Sequence, residues 1–138
     1  MDSCIFCKII RGEIPSYKVY EDELVIAILD VNPSSNGHTL VMPKEHFSDV
    51  TTTPKNILDH CFEVSQVIAQ AQIKQLHATG VNIITNAGKS AGQSVMHFHI
   101  HVIPRYENDG LDISLGFPIK KIENKDMLLL CDSIKKGI

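Results

Sequence analysis

The sequence predicts an α+β fold: a five-stranded antiparallel sheet with one long helix and shorter helices near the two ends. Three observations carry this. A single long stretch has helical periodicity. The β-rich runs are short and follow one another without the regular strand–helix alternation of a parallel sheet. The most distinctive segment, Val95-Met96-His97-Phe98-His99-Ile100-His101-Val102-Ile103, alternates polar and apolar residues as a half-buried strand does.

In chain order, Ile5, Phe6, Ile9 and Ile10 have one-turn spacing and stop before Gly12, which reads as a short helix. Runs at 18–20 and 24–29 are extended, with Glu21-Asp22-Glu23 as a turn between them. Asn32-Pro33-Ser34-Ser35-Asn36-Gly37 is a loop by composition, and 38–42 is a further strand ended by Pro43. Thr53 is the expected cap of the long helix, Pro54 its first position and Gly80 the residue beyond its end. Its buried stripe is Ile57, Cys61, Val64, Ile68 and Ala71. Strands at 81–85 and 95–103 follow, joined by the loop 86–94. Residues 105–122 look irregular, and a last amphipathic helix carries Met127, Leu128, Cys131 and Ile134 before Gly137.

No repeat or linker divides the chain, so residues 1–138 are expected to form one domain. Thirteen Lys and Arg against sixteen Asp and Glu give a formal charge of −3, with the cations scattered, which argues against a nucleic-acid surface. No run approaches a membrane span, and the start lacks a signal peptide's basic and apolar regions. No membrane contact and a cytoplasmic location with reduced cysteines are therefore expected. Cys61 and Cys131 have apolar surroundings and read as small core residues, while His60 and His77 read as solvated helix residues.

Strand geometry puts His97, His99 and His101 on one face, roughly 6–7 Å apart, and Met96, Phe98, Ile100 and Val102 on the other, against a core. Such a row suits several groups acting along one polyanionic substrate. A His-x-His strand can also supply zinc ligands, so a zinc hydrolase using these histidines directly is a rival reading. Cys4-x-x-Cys7 has the spacing of half a structural zinc site. No P-loop or dinucleotide-binding glycine motif is present, although Gly88 and Gly92 bracket a loop able to offer backbone donors.

His97-Phe98-His99-Ile100-His101-Val102-Ile103 resembles the signature of the histidine triad family. Gly37-His38-Thr39-Leu40-Val41-Met42-Pro43-Lys44, Cys4-Ile5-Phe6-Cys7-Lys8-Ile9-Ile10, Ile14-Pro15 and Gly92-Gln93-Ser94 match it as well, so the likeness runs from Cys4 to about Arg105. It implies a homodimer that extends the sheet across two subunits, and a purine nucleotide as substrate. It implies His99 as nucleophile, His101 as phosphate contact, His38 as support and Ser94 as partner of the leaving group or a phosphate oxygen. Asn86 and Gln93 match positions near ribose and phosphate, and Asp30 the acid that binds ribose hydroxyls. Ile5, Phe6, Ile9, Val31 and Leu40 match the wall around the base. Pro43-Lys44-Glu45-His46 resembles the zinc-binding branch, which implies a structural zinc on Cys4, Cys7, His46 and His97. A binding or adaptor protein without turnover is the third reading. The absence of tryptophan excludes the tryptophan-bearing C-terminal segment of one eukaryotic branch.

Overall fold

The computed structural model describes residues 3–111 and 122–129. Helix α1 spans Ile5–Ile10 and is followed by strands β1 (Lys18–Glu21), β2 (Val25–Leu29) and β3 (Thr39–Pro43). Helix α2 spans Lys55–Leu76, and β4 (Gly80–Ile84) and β5 (Ile100–Arg105) complete a sheet of order β1-β2-β3-β5-β4. Every neighbouring pair is antiparallel. Residues 124–129 are helical, with Met127, Leu128 and Leu129 exposed; Cys131 and Ile134 of the expected last helix lie outside the described residues. Among the described residues, no helix is long and apolar enough to cross a membrane.

Period-two alternation gives the sheet two apolar faces. Val25, Ala27, Val41, Ile100 and Val102 pack beneath α2 against Ile57, Cys61, Val64 and Ile68. Ile26, Ile28, Leu40 and Met42 point the other way and receive Phe6 of α1. His101 is paired with Leu40 and alternates with Ile100 and Val102, so it projects on the α1 side.

Both ends of α2 differ from expectation. Thr53 closes a short 3-10 turn over Val50–Thr52, and its hydroxyl donates to the Asp49 carbonyl (2.7 Å). The N-cap is Pro54, which makes no side-chain capping bond. At the other end His77 takes the left-handed conformation, with φ of 59°, and Gly80 already belongs to β4. Ala71 is exposed; the stripe continues through Gln72, whose Nε2 donates to the carbonyls of Gly37 and Val102 at 3.0 Å each. Ser65 is buried as well, which centres the buried face nearer Gln72 than Ala71. Gly37 has φ of +97°, and a Cβ there would collide with Leu76 Cδ1, so the loop before β3 passes close under α2.

The histidine segment also departs from a continuous strand. Regular pairing begins only at Ile100, and residues 95–97 bend. β3 ends at Pro43, whose carbonyl faces the His97 ring at 2.8 Å, and the Phe98 amide donates to Phe47 (2.6 Å) in the following loop. Side-chain and loop partners thus replace the strand ladder. Phe98 still enters the core under α2, but Met96 is 37% exposed rather than buried.

Candidate active site and metal centre

His97, His99 and His101 all lie on the α1 side but do different things. The Phe6 ring packs edge-on against His99, with centroids 5.0 Å apart, and against His97 at 5.9 Å. His99 and His101 stand 5.0 Å apart, while His97 turns toward His46.

His99 Nδ1 lies 2.7 Å from the main-chain carbonyl of His97. A carbonyl only accepts, so Nδ1 carries the proton and Nε2 keeps a free lone pair. Burial pushes the His99 pKa down, against its bond to the His97 carbonyl and the charge of Asp30. The ring is therefore a neutral imidazole near pH 7, the form that acts as a nucleophile.

His38 and His101 are fixed by their hydrogen bonds in the same way. The Ser34 amide donates to His38 Nδ1 (3.0 Å), so the His38 proton sits on Nε2. That nitrogen is 2.9 Å from His101 Nδ1 and donates to it, which leaves the His101 proton on Nε2. Burial lowers the His38 pKa although Asp30 Oδ2 lies 3.5 Å from Nε2. Burial, followed by the neighbouring His99 and His38, holds His101 down at about 4.

A cavity of about 280 Å³ opens over these rings. Phe6, Ile9, Leu40 and Val31 give it an apolar end, with Ile5 at its mouth; Asp30, Ser94, His99 and His101 give it a polar one. Asp30 Oδ1 accepts the Asn32 amide at 2.8 Å, so the residue caps its turn and still presents a carboxylate to the cavity. Asn86 and Gln93 are not in this lining. Asn86 lies beside Gly92, its Nδ2 3.7 Å from where a Cβ would stand. Gln93 is buried, accepting the Gly88 amide (2.7 Å) and donating to the carbonyls of Ser48 (2.7 Å) and Val95 (3.0 Å). It fastens the Gly88–Gly92 loop, a task the sequence pattern alone could not separate from ligand contact.

Thr85 is a residue the sequence reading missed. Its hydroxyl donates to the His99 carbonyl (2.7 Å), holding the His99 backbone from just beyond the end of β4. One threonine after an apolar strand carries no signal that could have revealed this.

Cys4, Cys7, His46 and His97 form a Cys2His2 cluster capable of holding a metal. His97 Nδ1 lies 3.6 Å from each sulfur and 3.2 Å from His46 Nδ1, and Cys7 Sγ lies 3.3 Å from His46 Nδ1. A tetrahedron with zinc-like bonds separates its ligand atoms by roughly 3.3–3.8 Å. The donor set fits. Cys4 caps α1, its sulfur accepting the Cys7 amide (3.3 Å), while His97 Nε2 donates to Pro43 and thereby turns its Nδ1 lone pair inward. Burial pushes His97 down to about 4. Burial, followed by the Cys4 neighbour, pushes the Cys7 thiol up to about 11, so an incoming cation must displace its proton.

The three strand histidines do not converge as one ligand set. Asp30, His38 and His101 also come within reach of a common ion, but the Ser34 amide keeps a proton on the inward nitrogen of His38. His99 belongs to neither group among the described residues.

The HIT domain family matches residues 11–108, and the chain belongs to this family. It is 47% identical over 138 residues to the protein called hit of Bacillus subtilis, covering 99% of this chain and 95% of that one. An adenylylsulfatase of Arabidopsis thaliana is 43% identical over 110 residues, covering 80% of this chain and 56% of that protein. A zinc-bound histidine triad family protein from Mycobacterium smegmatis superposes with a TM-score of 0.78 at 40% identity, covering 98% of this chain and 95% of that one.

Proposed function

We propose that the protein is a nucleotidyl hydrolase or transferase that cleaves nucleoside 5′-phosphoramidates or dinucleoside polyphosphates at the α-phosphate. The observation that carries this reading is the bond from His99 Nδ1 to the His97 carbonyl, which leaves His99 Nε2 unprotonated at the cavity. The base, a purine, packs among Ile5, Phe6, Ile9, Val31 and Leu40, and Asp30 accepts from the ribose hydroxyls. Asn86 and Gln93 shape the adjoining loop on the phosphate side.

His99 Nε2 attacks phosphorus; a new P–N bond forms, and the bond to the leaving group breaks with its electron pair. His101 Nε2–H donates a hydrogen bond to the phosphoryl group and stabilises the developing charge, while the leaving atom takes a proton from solvent water. Ser94 supports that atom from the cavity rim. Water then attacks phosphorus, the P–N bond to His99 breaks, and a nucleoside monophosphate, AMP for an adenosine substrate, departs. The proton that water releases on attack balances the one taken up by the leaving atom, and His38 and His101 stay neutral throughout.

The metal is a structural zinc. Bound there it cross-links α1, the loop after β3 and the histidine segment, with four protein ligands and no open position for water. The functional unit is a homodimer, for which the edge strand β4 and the exposed Ile83 offer a surface.

The test is a rapid quench of the protein with adenosine 5′-phosphoramidate, followed by mass spectrometry. An AMP adduct on His99, absent in His99→Ala, is expected. Turnover without an adduct and abolished by chelation would instead indicate metal-bound hydroxide. Binding without turnover would indicate an adaptor.

A further inference from the structure

The pairing of β3 with β5 stops at Thr39 and Val102. The loop before β3 nevertheless stays fastened to β5 and the turn after it, through side chains. Gln72 joins the carbonyls of Gly37 and Val102, as described above. The Ser35 hydroxyl donates to the Pro104 carbonyl (2.6 Å), and the Tyr106 hydroxyl donates to the Asn36 carbonyl (2.9 Å). Pro104 accounts for part of this arrangement, because it has no N–H to offer and a backbone ladder would lack a rung there.

Ser35 stands out among the three because of what lies on either side of its hydroxyl. The Ser34 amide donates to the His38 ring at Nδ1 (3.0 Å), and the Ser35 carbonyl accepts the main-chain amide of the same histidine (3.2 Å). The loop thus wraps around His38, and the half-buried Ser35 ties that wrap to β5 between the exposed Ser34 and Asn36. What the wrap decides is a tautomer. With the Ser34 N–H on Nδ1, His38 carries its proton on Nε2 and donates it to His101 Nδ1 (2.9 Å), so His101 keeps its own N–H at Nε2. Once the Ser34 amide swings away, nothing at Nδ1 opposes the other tautomer of His38. Both rings can then reverse, and a reversed His101 turns a lone pair toward a phosphoryl oxygen, where an N–H is needed.

We infer that Ser35 is a positioning residue for the reaction: anchored on Pro104, it holds the Ser34 amide against His38 and so fixes the tautomers of His38 and His101. Ser35 itself does not line the cavity, so it acts only through the loop and the two rings. The catalytic consequence rests on the nucleotidyl-transfer reading above, whereas the effect on the rings does not.

The experiment compares the unaltered protein with Ser35→Ala and Ser35→Thr, each prepared with zinc and isotope-labelled at the histidine ring nitrogens. Nitrogen NMR distinguishes a protonated from an unprotonated ring nitrogen, and His38→Ala assigns the His38 signals by their loss. Native signals come from folded molecules, so the readout is independent of how much of a variant folds. The unaltered protein should carry the His38 proton on Nε2. In Ser35→Ala the His38 signals should move toward a mixture of the two tautomers. With adenosine 5′-phosphoramidate its kcat should fall about 3–10-fold, the scale of one ordinary hydrogen bond, with KM little changed. Ser35→Thr keeps the hydroxyl and should retain both the native tautomer and most of kcat. A His38 spectrum unchanged in Ser35→Ala overturns the inference whatever kcat does, and so does a threonine variant as altered as the alanine one. Failure of the unaltered protein to form any AMP adduct is a different result: it strikes the parent reading, and the spectra still decide whether Ser35 sets the His38 tautomer.

Discussion

His99 Nδ1 donates to the main-chain carbonyl of His97 (2.7 Å), and His97 is itself held at both ring nitrogens. Nε2 donates to Pro43 and Nδ1 faces the sulfurs and His46. The metal-binding cluster and His99 therefore share one residue, whose side chain serves the first and whose backbone serves the second.

Metal removal should consequently do two things. Chelation, or Cys7→Ser, should lower the Tm, since three segments lose their cross-link. It should also lower kcat more than it raises KM, because the His97 carbonyl loses its anchor while the nucleoside wall stays. Ligand loss should weaken zinc affinity by at least about 10–100-fold, the scale seen even for outer-shell changes. Zinc content, Tm and steady-state kinetics on one preparation check this. Full kcat with an unchanged Tm after stripping would refute it.

His38→Ala tests the hydrogen bond that orients His101. Without the His38 Nε2–H, His101 Nδ1 loses its donor, so the His101 proton is free to sit on the wrong nitrogen. A fall in kcat of roughly 10²-fold is expected, with KM little altered because Asp30 remains. The pH profile adds a second readout. His101 is held at about 4 by burial and then by His99 and His38, against the pull of Asp30. His99 must be neutral to attack, and burial lowers its pKa as well, so the acid limb of kcat/KM should lie below the ordinary histidine value of about 6.5.

The residues that define the site were legible because their spacing is itself the chemistry: alternating histidines need a common face, and Cys-x-x-Cys on a short helix needs further ligands. The start of β5 was not legible. Alternation in sequence is the same whether His97 projects from a paired strand or a bend, and Pro43 and Phe47, distant in sequence, decide it. The α2 stripe was read correctly as far as Ile68, then followed Ala71 rather than Gln72, because a buried glutamine with two carbonyl partners looks polar to any hydropathy rule. His60 was read as solvated for the same reason, since its partner Asp22 sits in the turn between β1 and β2.

Gln93 separates loop support from direct ligand contact. Its amide satisfies Gly88, Ser48 and Val95, all main chain. Gln93→Ala would leave these groups buried or poorly hydrated, at a cost of about 2 kcal/mol. Urea denaturation should show that loss without nucleotide present. If stability is unchanged and only nucleotide affinity falls, Gln93 is a ligand residue instead.

The Asp22–His60 pair makes stability depend on pH. His60 Nε2 lies 2.6 Å from Asp22 Oδ2, which also accepts the Tyr20 hydroxyl (2.7 Å), while Oδ1 accepts the amides of Leu24 and Val25. Burial opposes ionisation of Asp22, but Tyr20, His60 and the two amides outweigh it and hold the carboxyl far below its usual range. The bond to Asp22 raises His60 against partial burial, helped by Glu63 at 3.8 Å. A lowered carboxylate contributes above its unfolded pKa of about 3.9 and loses that contribution as pH falls through the folded value. A raised histidine contributes fully below about 6.5 and loses its share as pH rises through the folded value. The two windows overlap between about pH 4 and 6.5. Both side chains are partly exposed, at 30% and 26%, so the expected size is only about 0.5–1 kcal/mol. Urea titrations of the unaltered protein and His60→Gln should differ by that amount near pH 5.5 and converge as the pH approaches 9. A difference that stays constant across this range would show that His60 acts through packing rather than charge.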